Sequence, residues 1–395
     1  MNSSANQRRA RVLWSLIAEP TDQIAQHLRA VLGVEEALSL ARTATAHDLL
    51  AATGGNLPVD SDTPGAGGSN VEERAERALK RWQARLESTD LAATTRTCVD
   101  HGIRVLAPGD DAWPAYLADL EEQEPVCLYA RGSSERLPLL HAGPVALVGS
   151  RAASSYGTDT AASLALGVAD RGRSVISGGA YGIDAAAHRG ALGSGTGGTV
   201  AVLACGLDSV YPRGNSALFD QIAEHGVLLS ESPPGTAPTR WRFLARNRLI
   251  AALSEATVVV EAAFRSGALN TARWADDLSR PVGAVPGPVT SPSSAGCHVL
   301  VRERGAVLVT DAAEVLELAR GADPAPERTV QDELDLLTGT DRRVLDAVPP
   351  RSARDVSRLA LDVGLDDASV LAAVGRLELL GHVQMTSSGV RRVRG

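Results

Sequence analysis

The sequence predicts an α/β protein: a parallel sheet covered by helices on both faces, with a helical domain before it and a winged helix after it. Three observations predict this fold. Between Val145 and Pro288, short apolar strands alternate with amphipathic helices, a pattern typical of a parallel sheet buried on both faces. The strands end at polar turns that carry glycine. Residues 340–394 have the order helix, helix, turn, helix and two short strands around Ser387–Gly389, which is a winged-helix pattern.

A helical domain is predicted over residues 1–122. Its short helices are predicted over Ala10–Ile17, Thr21–Leu32 and Val34–Ala41, and a longer charged helix over Val71–Glu87. Residues 54–70 are rich in Gly, Pro, Ser and Asp, the composition of a disordered insertion. A strand is predicted over residues 101–106, where the domain connects to the sheet.

The sheet domain is predicted over residues 123–320. Its predicted strands are Ala142–Val148, Ser174–Ser177, Thr199–Ala204, Val227–Ser230, Thr257–Glu261, Val282–Val285 and Ala306–Val309. Its predicted helices are Gly157–Arg171, Asp184–Leu192, Ser216–His225, Arg242–Leu253 and Gly267–Leu278. An acidic linker that contains proline, over residues 321–333, separates this domain from a winged-helix domain over residues 334–395.

Composition excludes several classes of protein. The net charge of −8 argues against a surface that is basic throughout, and residues 145–320 contain 15 Arg, no Lys and 15 acidic side chains, so a nucleic-acid site must be local. No apolar run reaches the roughly 18 residues of a membrane span, and Met1–Ala10 lacks the apolar core of a signal peptide, which predicts a cytoplasmic protein. The four cysteines lie far apart without a C-x-x-C pair, so reduced, mostly buried thiols are expected.

The turns after the strands predict an anion-binding surface. Glycines let an anion approach backbone N–H groups, helix N-termini favour negative charge, and arginine binds phosphate oxygens in pairs. Because the carboxyl ends of parallel strands share one edge of the sheet, these turns should meet in one crevice. The candidate phosphate-binding residues are Gly149, Ser150, Arg151, Ser177, Gly178, Gly179, Tyr181, Gly182, Arg213, Asn215, Arg246, Asn247, Arg248, Ser266, Gly267 and Thr271.

Several of these residues have a structural alternative. Arg151 could reach a phosphate from the end of the first strand, or it could form a surface salt bridge. The glycines Gly178, Gly179 and Gly182 could serve only to make a sharp turn, although that turn would also expose its amides. Arg246 and Arg248 are two residues apart and point in different directions, so one should face the groove and the other should pair with Glu231 or Glu261.

Asp184 and His188 are predicted to be structural. Asp184 should cap the helix that follows, and His188 lies one turn further along. Two ligands are too few for a metal site, so we expect a structural hydrogen bond at His188 and neither a metal nor a catalytic residue here. Tyr211 offers a ring near Arg213 and Asn215, where bases could stack and form hydrogen bonds. With 3% aromatic residues overall, binding should depend mainly on backbone phosphates and be indifferent to base sequence.

No cofactor is expected. A dinucleotide-binding sheet would have a G-x-G-x-x-G turn after its first strand and an acidic residue at the end of its second. Here the first turn is Gly149-Ser150-Arg151 and the second strand ends in serine and two glycines. The chain also lacks the G-x-x-x-x-G-K-[ST] loop of P-loop nucleotide hydrolases.

One series of segments resembles the DNA-processing protein A family, DprA or Smf: VALVGSR, SGGAYGIDAAAH, VLACGLDSVYPRGN, RFLARNRLIAALS and SGALNTARWA. The resemblance covers about residues 124–318 and extends to the helical N-terminal part and the winged helix. It implies an extended Rossmann-like core and an N-terminal domain of the SAM-like type. It also implies a homodimer that binds single-stranded DNA, protects incoming DNA, and loads the RecA recombinase during natural transformation.

Two other functions can be weighed on the same residues. Phosphoribohydrolases that act on nucleoside monophosphates use a turn of the form P-G-G-x-G-T-x-x-E, in which the glutamate serves the chemistry. Aligned on Thr271, this chain places Trp274 where that acid would stand, so no enzymatic activity is expected. A transcription factor would read duplex DNA through the winged helix, but its recognition helix opens with Asp366-Asp367, which favours protein contact.

Overall fold

The computed structural model describes residues 2–58, 70–319, 339–349, 352–379, 382–386 and 389–393. The chain divides into two compact units, Met1–Gly321 and Ala322–Gly395. The predicted linker, most of the predicted insertion and the turn at residues 387–388 lie outside the described residues. The domain boundaries predicted from the sequence therefore stay predictions.

Helices fill the N-terminal part of the first unit. They are α1 (Asn2–Ile17), α2 (Gln23–Leu32), α3 (Val34–Thr43), α4 (Ala46–Ala52), α5 (Val71–Ser88) and α6 (Leu91–Asp100). Trp14 of α1 and Trp82 of α5 are fully buried and pack edge to face, with ring centroids 5.4 Å apart. Asp22 caps α2 by accepting a hydrogen bond from the Ala25 amide, and its carboxylate also accepts from Arg81 and from the Trp82 indole. One buried carboxylate thus joins the start of α2 to α5.

Within the described residues, nine strands form one sheet. They are β1 (Ile103–Leu106), β2 (Leu128–Arg131), β3 (Val145–Gly149), β4 (Ser174–Ser177), β5 (Gly198–Leu203), β6 (Val227–Ser230), β7 (Ala256–Glu261), β8 (Val282–Ala284) and β9 (Val307–Leu308). Their order is β1-β2-β6-β5-β4-β3-β7-β8-β9. The strands from β3 onward are parallel, whereas β1 and β2 extend the sheet by antiparallel pairing. The predicted parallel sheet is confirmed, and β2 is an addition that was not predicted.

Helices cover both faces of the sheet, as predicted. They are α7 (Ser155–Ala169), α8 (Ile183–Leu192), α9 (Ser216–His225), α10 (Arg240–Ala252), α11 (Ala268–Asp277), α12 (Ala295–Arg304) and α13 (Ala312–Ala319). Val145 and Leu147 of β3 belong to the core formed with α7, α8 and α13, while Ala146 and Val148 belong to the core formed with α10 and α11. This alternation along a strand with no polar face explains why the strands read as continuous apolar runs.

The chain reverses its direction of travel across the sheet at β3. Strands β4, β5 and β6 are added on one side of β3, and β7, β8 and β9 on the other. The turns that leave the carboxyl ends of β3 and its neighbours therefore diverge to opposite faces, and a crevice opens between them.

The second unit contains α14 (Gly339–Ala347), α15 (Val356–Val363), α16 (Asp367–Leu379) and the antiparallel hairpin β10 (Val383–Thr386) with β11 (Gly389–Arg392). Its core includes Val344, Leu359, Val370 and Val390. This element order is the one predicted, and the assignment of the unit as a winged helix stays a prediction. Among the described helices of the chain, none is long and apolar enough to cross a bilayer.

Candidate nucleic-acid groove

A cavity of about 760 Å³ opens at the carboxyl ends of β3, β4 and β7, where the strand order reverses. We call it the groove. The structure brings eight of the predicted residues together in its lining: Gly149, Ser150, Arg151, Arg246, Asn247, Ser266, Gly267 and Thr271. The predicted convergence of separate turns on one crevice is therefore present in the fold.

The backbone of the turn after β3 is held by β7. The Ser150 amide donates to the Glu261 carbonyl at 2.6 Å, and the Glu261 carboxylate accepts from the Ser154 amide and hydroxyl, both at 2.9 Å. A Cβ at Gly149 would lie 2.5 Å from Ile183 and 2.8 Å from the Glu261 carbonyl oxygen, so glycine is required there. Because the Ser150 amide is already bonded, it is unavailable to a ligand, whereas the Arg151 side chain makes no hydrogen bond to the described residues. Glu261, considered as a partner for arginine, instead orders the turn.

Arg151 is exposed at the mouth of the groove. Its guanidinium carbon lies 4.7 Å from the centroid of the Phe243 ring, and the Tyr211 ring is 6.0 Å from the same ring. Among the described residues no carboxylate lies within ion-pair distance of Arg151, so the alternative of a surface salt bridge is not observed. The cation is held against an aromatic face and keeps its donors for a ligand.

The glycines after β4 make room for other groups rather than lining the groove themselves. Gly179 and Gly182 have positive φ values of 67° and 74°. A Cβ at Gly178 would collide with the Arg246 guanidinium, and one at Gly182 would collide with the Ser150 carbonyl. Ser177 donates to the Leu147 carbonyl at 2.6 Å inside the sheet. The structural alternative given for these glycines is the one the geometry supports.

Asp184 is not the helix cap that was predicted. Helix α8 begins at Ile183 after Gly182, so Asp184 lies within the first turn and accepts from the Ala180 amide at 3.3 Å. Burial raises the pKa of Asp184, against the opposing charges of Arg246 and Arg151. His188 is fully buried, and its Nδ1 lies 2.7 Å from the Thr199 hydroxyl. Burial lowers the pKa of His188 to about 3, so the ring is neutral at pH 7 and serves the structure.

Arg246 faces the groove and Arg248 pairs with a carboxylate, as predicted for two residues that point in different directions. Arg246 lines the groove, donates to the Val202 carbonyl at 2.5 Å and lies near the charge of Asp184. Burial lowers the pKa of Arg246 to about 10, which leaves it charged at neutral pH. Arg248 forms two hydrogen bonds to Glu231, at 2.8 and 2.9 Å, and its side chain is 1% exposed. Arg248 is absent from the described lining of the groove, and both of its terminal nitrogens bond within the fold, which argues against its prediction as a phosphate-binding residue.

The N-terminus of α11 forms the opposite wall. Gly267, Ala268 and Thr271 line the groove at the first turn of this ten-residue helix. Asn247 spans from α10 to this turn, donating to the Asn270 side chain at 3.1 Å. The amides of Ala268, Leu269 and Asn270 bond to Ser266 and Gly267, so it is the helix dipole that favours an anion at this wall.

Three predicted residues lie beside the groove rather than in its lining. Tyr181 and Arg213 are exposed. Asn215 is buried and donates to the carbonyls of Gly179 and Ala180 at 3.0 and 3.3 Å, so its amide supports the turn after β4 and is not presented to a ligand.

Sequence reasoning missed part of the lining. Arg240, Phe243 and Arg265 face the groove, and the neighbouring rings of Trp241 and Phe264 are 60% and 68% exposed. The chain-wide aromatic fraction hid this local concentration of rings. The alternation of cation and ring in Arg240-Trp241-Arg242-Phe243 was the available signal. Exposed ring faces of this kind are available for base stacking.

The groove is strongly cationic although the chain is acidic. Its described lining contains Arg151, Arg240, Arg246 and Arg265, against the single carboxylate of Asp184. Within the described residues, no group of three or more His, Cys, Asp or Glu side chains could hold a metal ion. This arrangement can bind an extended polyanion whose bases are unpaired and free to stack on the aromatic side chains.

Comparison with known proteins adds to this geometry. A family model described as DNA recombination-mediator protein A matches residues 104–320. A putative DNA processing protein DprA of Mycobacterium tuberculosis is 46% identical over 327 residues, covering 79% of this chain and 82% of the relative. Protein Smf of Escherichia coli is 41% identical over 215 residues, covering 54% of this chain and 56% of the relative. The X-ray structure of DNA processing protein A from Streptococcus pneumoniae is 31% identical with a TM-score of 0.60, covering 78% of this chain and 97% of that one.

Proposed function

Because this chain belongs to the DNA recombination-mediator protein A family, we propose that it binds single-stranded DNA in the groove and acts as a recombination mediator. One observation carries the proposal: four arginines and the N-terminus of α11 face one crevice whose described lining has a single buried carboxylate. Contacts of this kind neutralise phosphates without reading base sequence.

Aromatic side chains favour a single strand over a duplex. Tyr211 and Phe243 lie side by side at the groove, and Phe264 is exposed next to Ala263 and Arg265 of its lining. Bases can stack on such rings only when their faces are free, as they are in single strands. The phosphates lie along Arg151, Arg265 and the α11 N-terminus, and the bases turn toward the rings.

The proposal is tested by measuring binding to a single-stranded oligonucleotide and to a duplex of equal length over a range of salt concentrations. We expect tighter binding to the single strand and a linear fall of log affinity with log salt concentration, as for any complex held by phosphates. Equal affinity for both forms, or affinity independent of salt, would contradict it.

We propose further that the bound strand is protected and transferred to the RecA recombinase, in natural transformation. Phosphate contacts can be exchanged one at a time, which suits a protein that must release the strand it holds. The measurement is ATP hydrolysis by RecA on single-stranded DNA already covered by a single-strand binding protein. This chain should raise that rate, and variants of the groove should not.

A homodimer is also proposed, with the edge strand β9 as its contact. Val307 and Leu308 of β9 are 51% and 49% exposed, and Val301 of α12 is partly exposed. Within the described residues β9 pairs on one side only, with β8. An apolar edge strand with unpaired backbone groups is a template for a second copy. We expect Leu308→Lys to convert dimers to monomers in sedimentation, while Val289→Lys at an exposed loop position has no effect.

The second unit is expected to contribute little to strand affinity, because the groove lies wholly within the first unit. Deleting residues 322–395 should keep single-strand affinity within about tenfold, which corresponds to about 1.4 kcal/mol. Fluorescence anisotropy with a labelled oligonucleotide measures this, and a larger loss would show that the second unit shares the binding.

No nucleotide hydrolysis is expected. Thr271 lines the groove, but position 274 carries tryptophan where a phosphoribohydrolase would need its acid. Losing such an electrostatic group commonly costs about two to three orders of magnitude in rate or more. Chromatography should detect no base or ribose phosphate after hours with any nucleoside monophosphate. Release in proportion to protein, abolished by Thr271→Ala, would favour the enzyme instead.

A further inference from the structure

A second cavity, of about 120 Å³, lies between the N-terminal helices and the segment that follows β6. It is separate from the groove, and the two are divided by residues 233–243: Thr236 and Arg242 line the small cavity, while Thr239, Arg240 and Phe243 line the groove. Its volume is that of about four water molecules, which is room for one tetrahedral oxyanion.

The side chains around this cavity carry more positive charge than they can pair. Arg85 and Arg242 both bond to Glu19, with oxygen to nitrogen distances of 2.9 Å. Glu231, which also lines the cavity, is occupied by Arg248. The nearby Asp22 is occupied by Arg81 and Trp82. Each local carboxylate thus has its cation, and the remaining cation is Arg29.

The Arg29 side chain has no hydrogen bond or ion pair with any residue that the structure describes. Its guanidinium carbon lies 5.4 Å from the centroid of the Trp14 ring, and the side chain lines the cavity. Burial lowers the pKa of Arg29 to about 10, so it stays charged at neutral pH. The side chain is partly exposed, and because its guanidinium makes no hydrogen bond within the fold, its donors are available to an anion that enters the cavity.

Two hydroxyl groups complete the set of donors. Ser232 and Thr236 line the same cavity, and neither hydroxyl has a hydrogen-bond partner among the described side chains and backbone groups. The guanidinium has a planar set of N–H donors and each hydroxyl has one O–H donor, and phosphate oxygens can accept hydrogen bonds from all of them.

We propose that this cavity binds a phosphate group, with Arg29, Ser232 and Thr236 as its donors. The bound group is either free inorganic phosphate or the terminal phosphate of a nucleic acid, since both present the same oxygens. The inference does not rest on the function proposed for the groove, because free phosphate can bind whether or not the groove holds DNA.

Calorimetric titration of the full chain with inorganic phosphate, in chloride buffer of matched ionic strength, tests the site. We expect Arg29→Gln to weaken one phosphate-binding event by about 10- to 100-fold, the loss that a charged hydrogen bond represents. The matched control is Arg42→Gln, which removes an exposed arginine from α3 outside the cavity and should change nothing. Arg151→Ala removes a cation of the groove and should leave this phosphate-binding event unchanged, which distinguishes the small cavity from the groove.

Thr236→Val keeps the shape of the side chain and removes only its hydroxyl, so it tests the site if Arg29→Gln fails to fold. It should weaken the same event by several-fold. Oligonucleotides with and without a 5′-phosphate distinguish the source: a preference for the phosphorylated strand that Arg29→Gln abolishes identifies a DNA end. Phosphate binding equal in wild type, Arg29→Gln and Thr236→Val would overturn the proposal, as would the absence of any phosphate binding together with equal affinity for both oligonucleotides.

Discussion

Glu231→Met should lower the free energy of unfolding by about 3–5 kcal/mol, the range observed when one partner of a buried ion pair is removed. The reason is the location of Arg248, whose side chain is 1% exposed and which would be left charged inside the fold. Its two hydrogen bonds to Glu231 join α10 to the residue directly after β6. Denaturant unfolding monitored by circular dichroism measures the change.

Two further variants separate charge burial from loss of side-chain contacts. Asp277→Met removes the carboxylate of the exposed Arg273–Asp277 pair, and its effect should stay within about 0.5 kcal/mol. The double variant Glu231→Met/Arg248→Met replaces the pair by apolar side chains and should recover most of the lost stability. If the double variant were as unstable as the single one, the buried charge of Arg248 would not be the cause.

Arg151→Ala should weaken binding of a single-stranded oligonucleotide by about 1–3 kcal/mol and make the slope of log affinity against log salt about 0.7 less steep. Arg151 has the exposure, the position at the end of β3 and the free donors that a phosphate contact requires. Anisotropy titrations at four or more salt concentrations give both quantities.

The matched control is Arg189→Ala, which removes an exposed arginine from the last turn of α8, at the end of that helix away from the groove. Affinity and slope should both be unchanged in this variant. An Arg151→Ala protein that folds normally and binds with the affinity and slope of wild type would exclude this residue from the site.

Sequence reasoning predicted the features that follow from backbone periodicity. Apolar strands that alternate with helices predicted the parallel sheet, and the ends of those strands predicted where the groove lies. The division of Arg246 and Arg248 was predictable because residues two apart on a helix point in different directions. Each of these features follows from local backbone geometry, which can be inferred from a single sequence.

Other features depended on contacts between distant segments. Strand β2 is four residues long and is fixed by pairing with β1 and β6, so no local pattern indicated it. The sequence predicts Asp184 as the cap, but Gly182 has a positive φ and starts α8 one residue earlier, and that φ cannot be read from residue types alone. The contact between Arg151 and the Phe243 ring joins residues more than 90 positions apart, so residue order alone does not indicate it.

The attachment of the β3 turn to Glu261 has a consequence for the heat-capacity change on DNA binding. Backbone and side-chain bonds from one β7 residue already order this turn, and Ser293 adds a second hydroxyl bond to the same carboxylate at 2.6 Å. No loop folding should therefore accompany DNA association. The heat-capacity change on association should then reflect the burial of a few rings and bases, and remain far smaller than that of coupled folding. A turn ordered before DNA arrives would let successive nucleotides replace one another without rebuilding the site.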